Sequence, residues 1–255
     1  MGSLVAALAS YLDIRAQDGT WCVRIDDLDP PREEAGAART ILETLAAHGL
    51  HSDEPVRYQS DGSTRYDKAL ESLADQLFWC TCTRKSLAGV SRYPGTCRNN
   101  TLPIENAAIR LRADRVATGD FIVKRRDGLW AYNFATAVDD GEDFDRVLRG
   151  ADLAHVTEPQ THVMSALGLP LPTYVHIPVL CYEDGTKLSK QTGAPALDPK
   201  EALDNLRDAL AYLGQQIESV RECTTPEALL AKAKDIWRLD AIPARLLIYA
   251  APNAT

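Results

Sequence analysis

The chain has 255 residues, 45% of them hydrophobic, and a net charge of −8. That is enough apolar material for one large domain or two small ones, and the acidity excludes a broadly basic nucleic-acid coat while leaving room for a local basic face. No run of about 18 apolar residues is present to span a bilayer and no basic region opens the chain, so a soluble cytoplasmic protein is expected.

Leu4, Leu8, Tyr11, Leu12 and Arg15 recur at helical spacing up to Gln17, and Asp18-Gly19 supplies a stop. Thr20 to Ile25 reads as a buried strand that delivers Asp26, Asp27 and Asp29 to its C-terminal end, the edge where open α/β sheets bind ligands. Ala35, Ala38, Ile41, Leu42, Leu45 and Ala46 then form one apolar helical face closed by Gly49, and helix, strand, helix suggests a parallel sheet. A third helix is expected over 64–76.

Six cysteines are present. Cys22, Cys181 and Cys223 stand apart beside apolar residues and read as small buried hydrophobes. Cys80, Cys82 and Cys97 cluster, and without signs of export metal binding is favoured over disulfides. A tetrahedral zinc needs a fourth ligand. Between Cys82 and Cys97 there is no His, Asp or Glu, and Tyr93 is the remaining side chain able to become an anionic oxygen ligand. The cluster reads either as a zinc knuckle or as coincidental thiols. Arg84, Lys85, Arg92 and Arg98 around it read as a phosphate-facing patch or a solvated rim.

Ala108 to Arg112 and Phe121 to Val123 read as strands, and Leu129 to Ala135 as a further buried run. Asp139, Asp140, Glu142, Asp143 and Asp145 read as a solvated acidic turn. Arg149 falls at a strand end beside Gly150, where its fork can hold a carboxylate by two hydrogen bonds. Thr157-Glu158-Pro159-Gln160 carries a capping-box pattern for a helix ending at Gly168, and Tyr174 to Ile177 forms a strand in which His176 is expected to be satisfied by backbone. Lys187 and Lys190, three apart with Ser189 between them, make a cationic loop suited to a polyphosphate. Asp198 and Thr225 cap two final helices.

Taken together and in this order, Arg24-Ile25-Asp26-Asp27-Leu28-Asp29-Pro30-Pro31-Arg32-Glu33, Cys80-Thr81-Cys82-Thr83-Arg84, Tyr93-Pro94-Gly95-Thr96-Cys97-Arg98, Arg125-Arg126-Asp127-Gly128-Leu129-Trp130-Ala131-Tyr132-Asn133, Arg149-Gly150-Ala151-Asp152 and Lys187-Leu188-Ser189-Lys190-Gln191 resemble the glutamyl-Q tRNA(Asp) synthetase family. That family is similar to the catalytic half of a class I glutamyl-tRNA synthetase without its anticodon-binding domain. The resemblance implies an α/β, Rossmann-like class I catalytic domain over 1–198 with a zinc-bearing insertion at 77–106, then a helical C-terminal part over 199–255. It implies ATP-dependent, tRNA-independent activation of L-glutamate and transfer of the glutamyl group to queuosine at the wobble position of tRNA(Asp); a monomer is expected. By the same similarity Lys190 and Lys187 meet the ATP phosphates, with magnesium accompanying the nucleotide. Tyr132 and Arg149 hold the amino acid, and Asp26, where relatives more often carry Glu, holds its amino group. Zinc sits on Cys80, Cys82, Tyr93 and Cys97.

The resemblance starts inside the family pattern. Met1-Gly2-Ser3-Leu4 matches H-x-G-S-L, so an internal start or an N-terminal truncation is expected, and with it weak folding and slow adenylation. The stretch from Arg112 to Phe121 is shorter than in relatives. Two further readings are a fragment of a discriminating glutamyl-tRNA synthetase, set apart by charging of tRNA(Glu), and a non-catalytic, zinc-stabilised RNA-binding remnant, set apart by the absence of adenylate.

Overall fold

The computed structural model describes residues 1–188, 193, 196–244 and, as backbone, 247–248. Helix α1 (Gly2–Arg15) turns Leu4, Val5, Leu8, Ala9 and Leu12 inward on one face. Asp18, in a left-handed conformation at φ 54°, and the bond from Gly19 N–H to Ile14 C=O at 2.9 Å end it. Residues 20–23 do not pair as a strand. Their N–H groups are claimed by side chains, Trp21 N–H by Asp53 at 2.7 Å and Val23 N–H by Ser52 at 3.1 Å, so the ladder is confined to β1 (Arg24–Ile25). β1 runs parallel to β2 (Arg57–Tyr58), joined to it through α2 (Ala37–Ala47). The apolar face expected of α2 exists in the sequence, but none of the helix's residues is buried and Ile41 is 49% exposed.

α3 (Ser63–Ser72) and a 3-10 turn lead into an antiparallel meander of β3 (Leu77–Cys80), β4 (Ala108–Leu111) and β5 (Phe121–Lys124), in the order β3-β4-β5. Cys80 pairs with Ala108 and Leu111 with Phe121, so the cysteine-bearing segment between β3 and β4 projects from one end of this sheet. The expected buried run from Leu129 becomes instead the start of α4 (Tyr132–Asp143). Its signal lay in Phe134, Val138 and Gly141 at i, i+4 and i+7, all buried.

β6 (Arg146–Gly150) and β7 (Thr173–Ile177) pair in parallel over five residues each, connected by α5 (Ala154–Leu167). α5 begins a turn before the expected capping box, so Pro159 sits inside the helix and the Thr157 hydroxyl accepts from Arg149 instead of capping. Gly168 ends it in the left-handed region at φ 69°, as the sequence suggests. β8 (Leu180–Cys181) runs parallel to β9 (Leu247–Ile248), and α6 (Ala202–Tyr212) and α7 (Pro226–Ile236) complete the chain. Thr225 caps α7 at Ala228 N–H, and Asp198 caps a 3-10 turn ahead of α6 at Lys200 N–H.

Two cores result. One joins α1 to α6, α7, β8 and Leu188; the other joins α3, α4, α5 and one face of the meander. The opposite face of the meander carries Phe78 and Cys80 against Cys97 and Tyr93. Among the described residues no helix is long and apolar enough to cross a membrane.

Candidate active site

The tip of β1, the start of α4 and the end of β6 meet. Arg24, at β1, is largely covered and donates to Asp26 at 2.6 Å and to Asp140 at 2.6 Å, with Asp139 at 3.8 Å. Burial alone pulls its pKa down, but these carboxylates outweigh it and hold the guanidinium charged far above its ordinary range. Asp140 in turn accepts from the Tyr174 hydroxyl at 2.8 Å, and the Tyr174 ring lies under the Arg149 guanidinium, 4.4 Å from centroid to Cζ. An unbroken chain of contacts therefore runs from Asp26 to Arg149. Tyr132 stands 38% exposed at the first position of α4; burial raises its phenol pKa first, the Asp26 charge raises it further, and Arg149 opposes them.

Arg149 is buried and held through two of its guanidinium nitrogens, Nη2 donating to Thr157 Oγ1 at 2.9 Å and Nε to His176 Nε2 at 3.3 Å. The Thr157 hydroxyl also lies 3.1 Å from His176 Nε2. Burial, then the Arg149 charge, lowers the His176 pKa, which keeps Nε2 an acceptor. His176 is thus satisfied by side chains rather than backbone, correcting the sequence expectation. At Gly150 a Cβ would meet the Asp152 carboxylate and the Val179 side chain. Asp152 accepts from Lys187 Nζ at 2.5 Å, which ties the lysine loop to the same strand end. The first turn of α1 closes this side, since a Cβ on Gly2 would sit 3.4 Å from the Leu188 carbonyl. Lys190 lies outside the described residues.

The acid run after Tyr132 is not a solvated turn. Asp139 and Asp140 are buried inside α4, and only Glu142 and Asp145 of the set are exposed. Like charges are tolerated there because cations and donors meet them: Arg24 and Tyr174 at Asp140; Arg65, Gln59 and Tyr66 at Asp139; Arg57 and Arg65 at Asp143. The sequence reading gave Arg24 and Tyr174 no role in the site, and gave Asp140, Thr157 and His176 other roles. The arginine immediately before the acidic strand tip, and the two acids on one helix with Tyr132, were the available signals.

The cysteine cluster forms as expected. The Cys80, Cys82 and Cys97 sulfurs all lie within 4.8 Å of one another, and the Tyr93 Oη approaches Cys80 Sγ at 3.4 Å and Cys82 Sγ at 3.8 Å. Burial pushes the Cys97 thiol up, but the Tyr93 hydroxyl, the Thr81 N–H and the other two thiols outweigh it and bring it down to about 7. Three soft sulfurs and one phenol around a common point are a donor set that suits a tetrahedral ion. Of the four cations nearby, Arg92 and Arg98 are used internally: Arg92 donates to the Asp114, Val116 and Ala117 carbonyls, and Arg98 pairs with Asp114 and Asp120. Arg84 and Lys85 are exposed.

Residues 1–92 and 104–238 match the family of class I tRNA synthetases (E and Q), catalytic domain. The chain belongs to this family. As a class I tRNA synthetase chain it is a ligase of the aminoacyl-tRNA synthetase type. It is 44% identical to the glutamyl-Q tRNA(Asp) synthetase of Burkholderia cenocepacia over 270 residues, covering 92% of this chain and 91% of that protein. It is 41% identical to the glutamyl-Q tRNA(Asp) synthetase of Escherichia coli K12 over 271 residues, covering 97% and 87%. Its fold is that of the glutamate-tRNA synthetase of Elizabethkingia anophelis, with a TM-score of 0.74 at 21% identity, covering 98% of this chain and 65% of that one. The synthetase chain thus spans less than two thirds of that protein's length.

Proposed function

We propose that the protein activates L-glutamate with ATP, without needing RNA for that step, and transfers the glutamyl group to queuosine at the wobble position of tRNA(Asp). The observation that carries this reading is the contact chain from Asp26 through Arg24, Asp140 and Tyr174 to Arg149, with Tyr132 between its ends. It offers a cation for a glutamate carboxylate, a carboxylate for the ammonium and a phenol between them. Arg149 takes the carboxylate by its fork. Asp26, oriented by Arg24, takes the ammonium, and Tyr132 aligns the side chain.

Adenylation is attack of the glutamate carboxylate oxygen on the α-phosphorus of ATP, with pyrophosphate leaving. It needs alignment and charge neutralisation, not a covalent protein nucleophile. Lys187 and Lys190 meet the phosphates, aided by the N–H groups at the start of α1, which lies against Leu188. Magnesium accompanies the nucleotide. In the second step a queuosine hydroxyl attacks the adenylate carbonyl and AMP departs. A single zinc on Cys80, Cys82, Tyr93 and Cys97 cross-links the arm between β3 and β4. The four-donor convergence supports that assignment. We assign the catalytic domain to 1–198, with that arm at 77–106, and a helical part to 199–255, acting as a monomer.

The test supplies the protein with ATP, labelled glutamate and tRNA(Asp) with or without queuosine. Label retained only on the queuosine-bearing tRNA is expected. Label on tRNA(Glu) instead supports a discriminating glutamyl-tRNA synthetase and overturns the proposal.

A further inference from the structure

A cavity of about 350 Å³ opens between the cysteine arm, the outer face of the meander and the start of α4. Its size is at the lower end of the roughly 300–1,000 Å³ of small-ligand clefts, so it admits one ring system rather than a polyphosphate. Arg110 lines it, 8% exposed, with its guanidinium stacked on the Tyr93 ring at 4.0 Å. Nη1 donates to the Asp120 carbonyl at 2.8 Å, while Nε is buried with no partner. The Asp120 carboxylate, the natural counter-ion, is already taken by Arg98 and by Ala113 N–H. Among the described residues, then, a buried cation faces the cavity with donors unspent, which is costly unless a ligand acceptor completes it.

The remaining lining defines the acceptor. Leu87, Val90, Phe121 and Ile122 give apolar surface, with Val90 46% exposed at the rim, and Asn133 adds an amide. Arg84 and Lys85 stand exposed just before Leu87. Apolar walls around an arginine and an amide, with cations outside, match a planar base whose carbonyl edge is read inside and whose phosphates stay at the mouth. Asn133 directly follows Tyr132, so the first turn of α4 supplies a residue both to the cavity and to the proposed glutamate site.

We infer that this cavity receives one unstacked purine base of single-stranded RNA, its carbonyl edge on Arg110 and Asn133 and its faces against Leu87 and Val90. The inference rests on the reading above that RNA is the acceptor, and it names how that RNA is held. Arg110→Lys keeps the charge but loses the fork, and Val90→Glu places an anion on an exposed rim where folding is not at risk. Binding of a fluorescent seven-nucleotide-loop RNA hairpin, and of the same stem as a closed duplex, is measured alongside glutamate affinity and melting temperature. Both variants are expected to bind the hairpin about tenfold more weakly, with duplex binding, glutamate affinity and melting unchanged. Unchanged hairpin binding, an equal loss on the duplex, or no hairpin binding by the unaltered protein overturns the inference. A protein that binds the hairpin through Arg110 yet leaves queuosine-bearing tRNA(Asp) unlabelled upholds the cavity and contradicts the acceptor assignment.

Discussion

Arg24 organises the site without being one of the residues proposed to touch substrate. A guanidinium this well covered is stable only while carboxylates surround it, and Asp140 is the most buried of those it hydrogen-bonds. Asp140→Asn leaves that charge short of a counter-ion and removes the acceptor of Tyr174. We expect a loss of about 3 kcal/mol in stability, at the low end for a broken buried pair because Asp26 remains, read by urea unfolding. Arg149 carries the substrate role more directly. Arg149→Lys keeps the charge but not the planar fork that Thr157 and His176 hold in place. Glutamate affinity should fall about tenfold to a hundredfold by calorimetry, a cost of about 1.4–2.7 kcal/mol, with melting little changed. Equal affinity for the two proteins contradicts the role given to the fork.

At the scale of elements, two segments owe their shape to side chains from elsewhere. Residues 20–23 are held open by Ser52 and Asp53, and Asp53 also pairs with Arg15 at 2.6 Å. The Arg15 hydrogen bond outweighs burial and, with the Trp21 N–H, holds the Asp53 carboxyl below its ordinary range. The unfolded chain therefore binds this proton more readily. Its contribution is full above the unfolded value of about 3.9 and is lost as pH falls through the lower folded value. Asp53→Asn should lower melting temperature at neutral pH and flatten its decline below about pH 4; a parallel curve contradicts this. The cysteine arm carries the proposed zinc site. Chelation should release about one zinc per chain and lower the melting temperature, and Cys82→Ser should do the same more completely than Tyr93→Phe, which leaves three thiolates. A protein isolated metal-free with unchanged melting contradicts the zinc assignment.

Across the whole molecule, the parts legible in sequence were those written in local spacing. The α1 face, the Gly168 stop, the Thr225 cap and the three-cysteine cluster with Tyr93 all formed where the residues indicated. What was not legible depended on partners distant in the chain. Asp139 and Asp140 looked like solvated acids because their partners are distant in the chain, Arg24 lying 116 residues and Tyr174 34 residues from Asp140, and local charge patterning cannot register them. Residues 20–23 looked like a strand because nothing local announces that Asp53 will claim the Trp21 N–H. The face of α2 reads as core by periodicity, yet none of its residues is buried.

The account turns on a single glutamate pocket built by Asp26, Tyr132 and Arg149. The most direct measurement is a crystal structure of the protein soaked with L-glutamate. The account predicts one glutamate carboxylate on the Arg149 guanidinium, the ammonium within hydrogen-bond reach of Asp26, and the Tyr132 hydroxyl against the amino acid. Glutamate bound with neither carboxylate on Arg149 would contradict it.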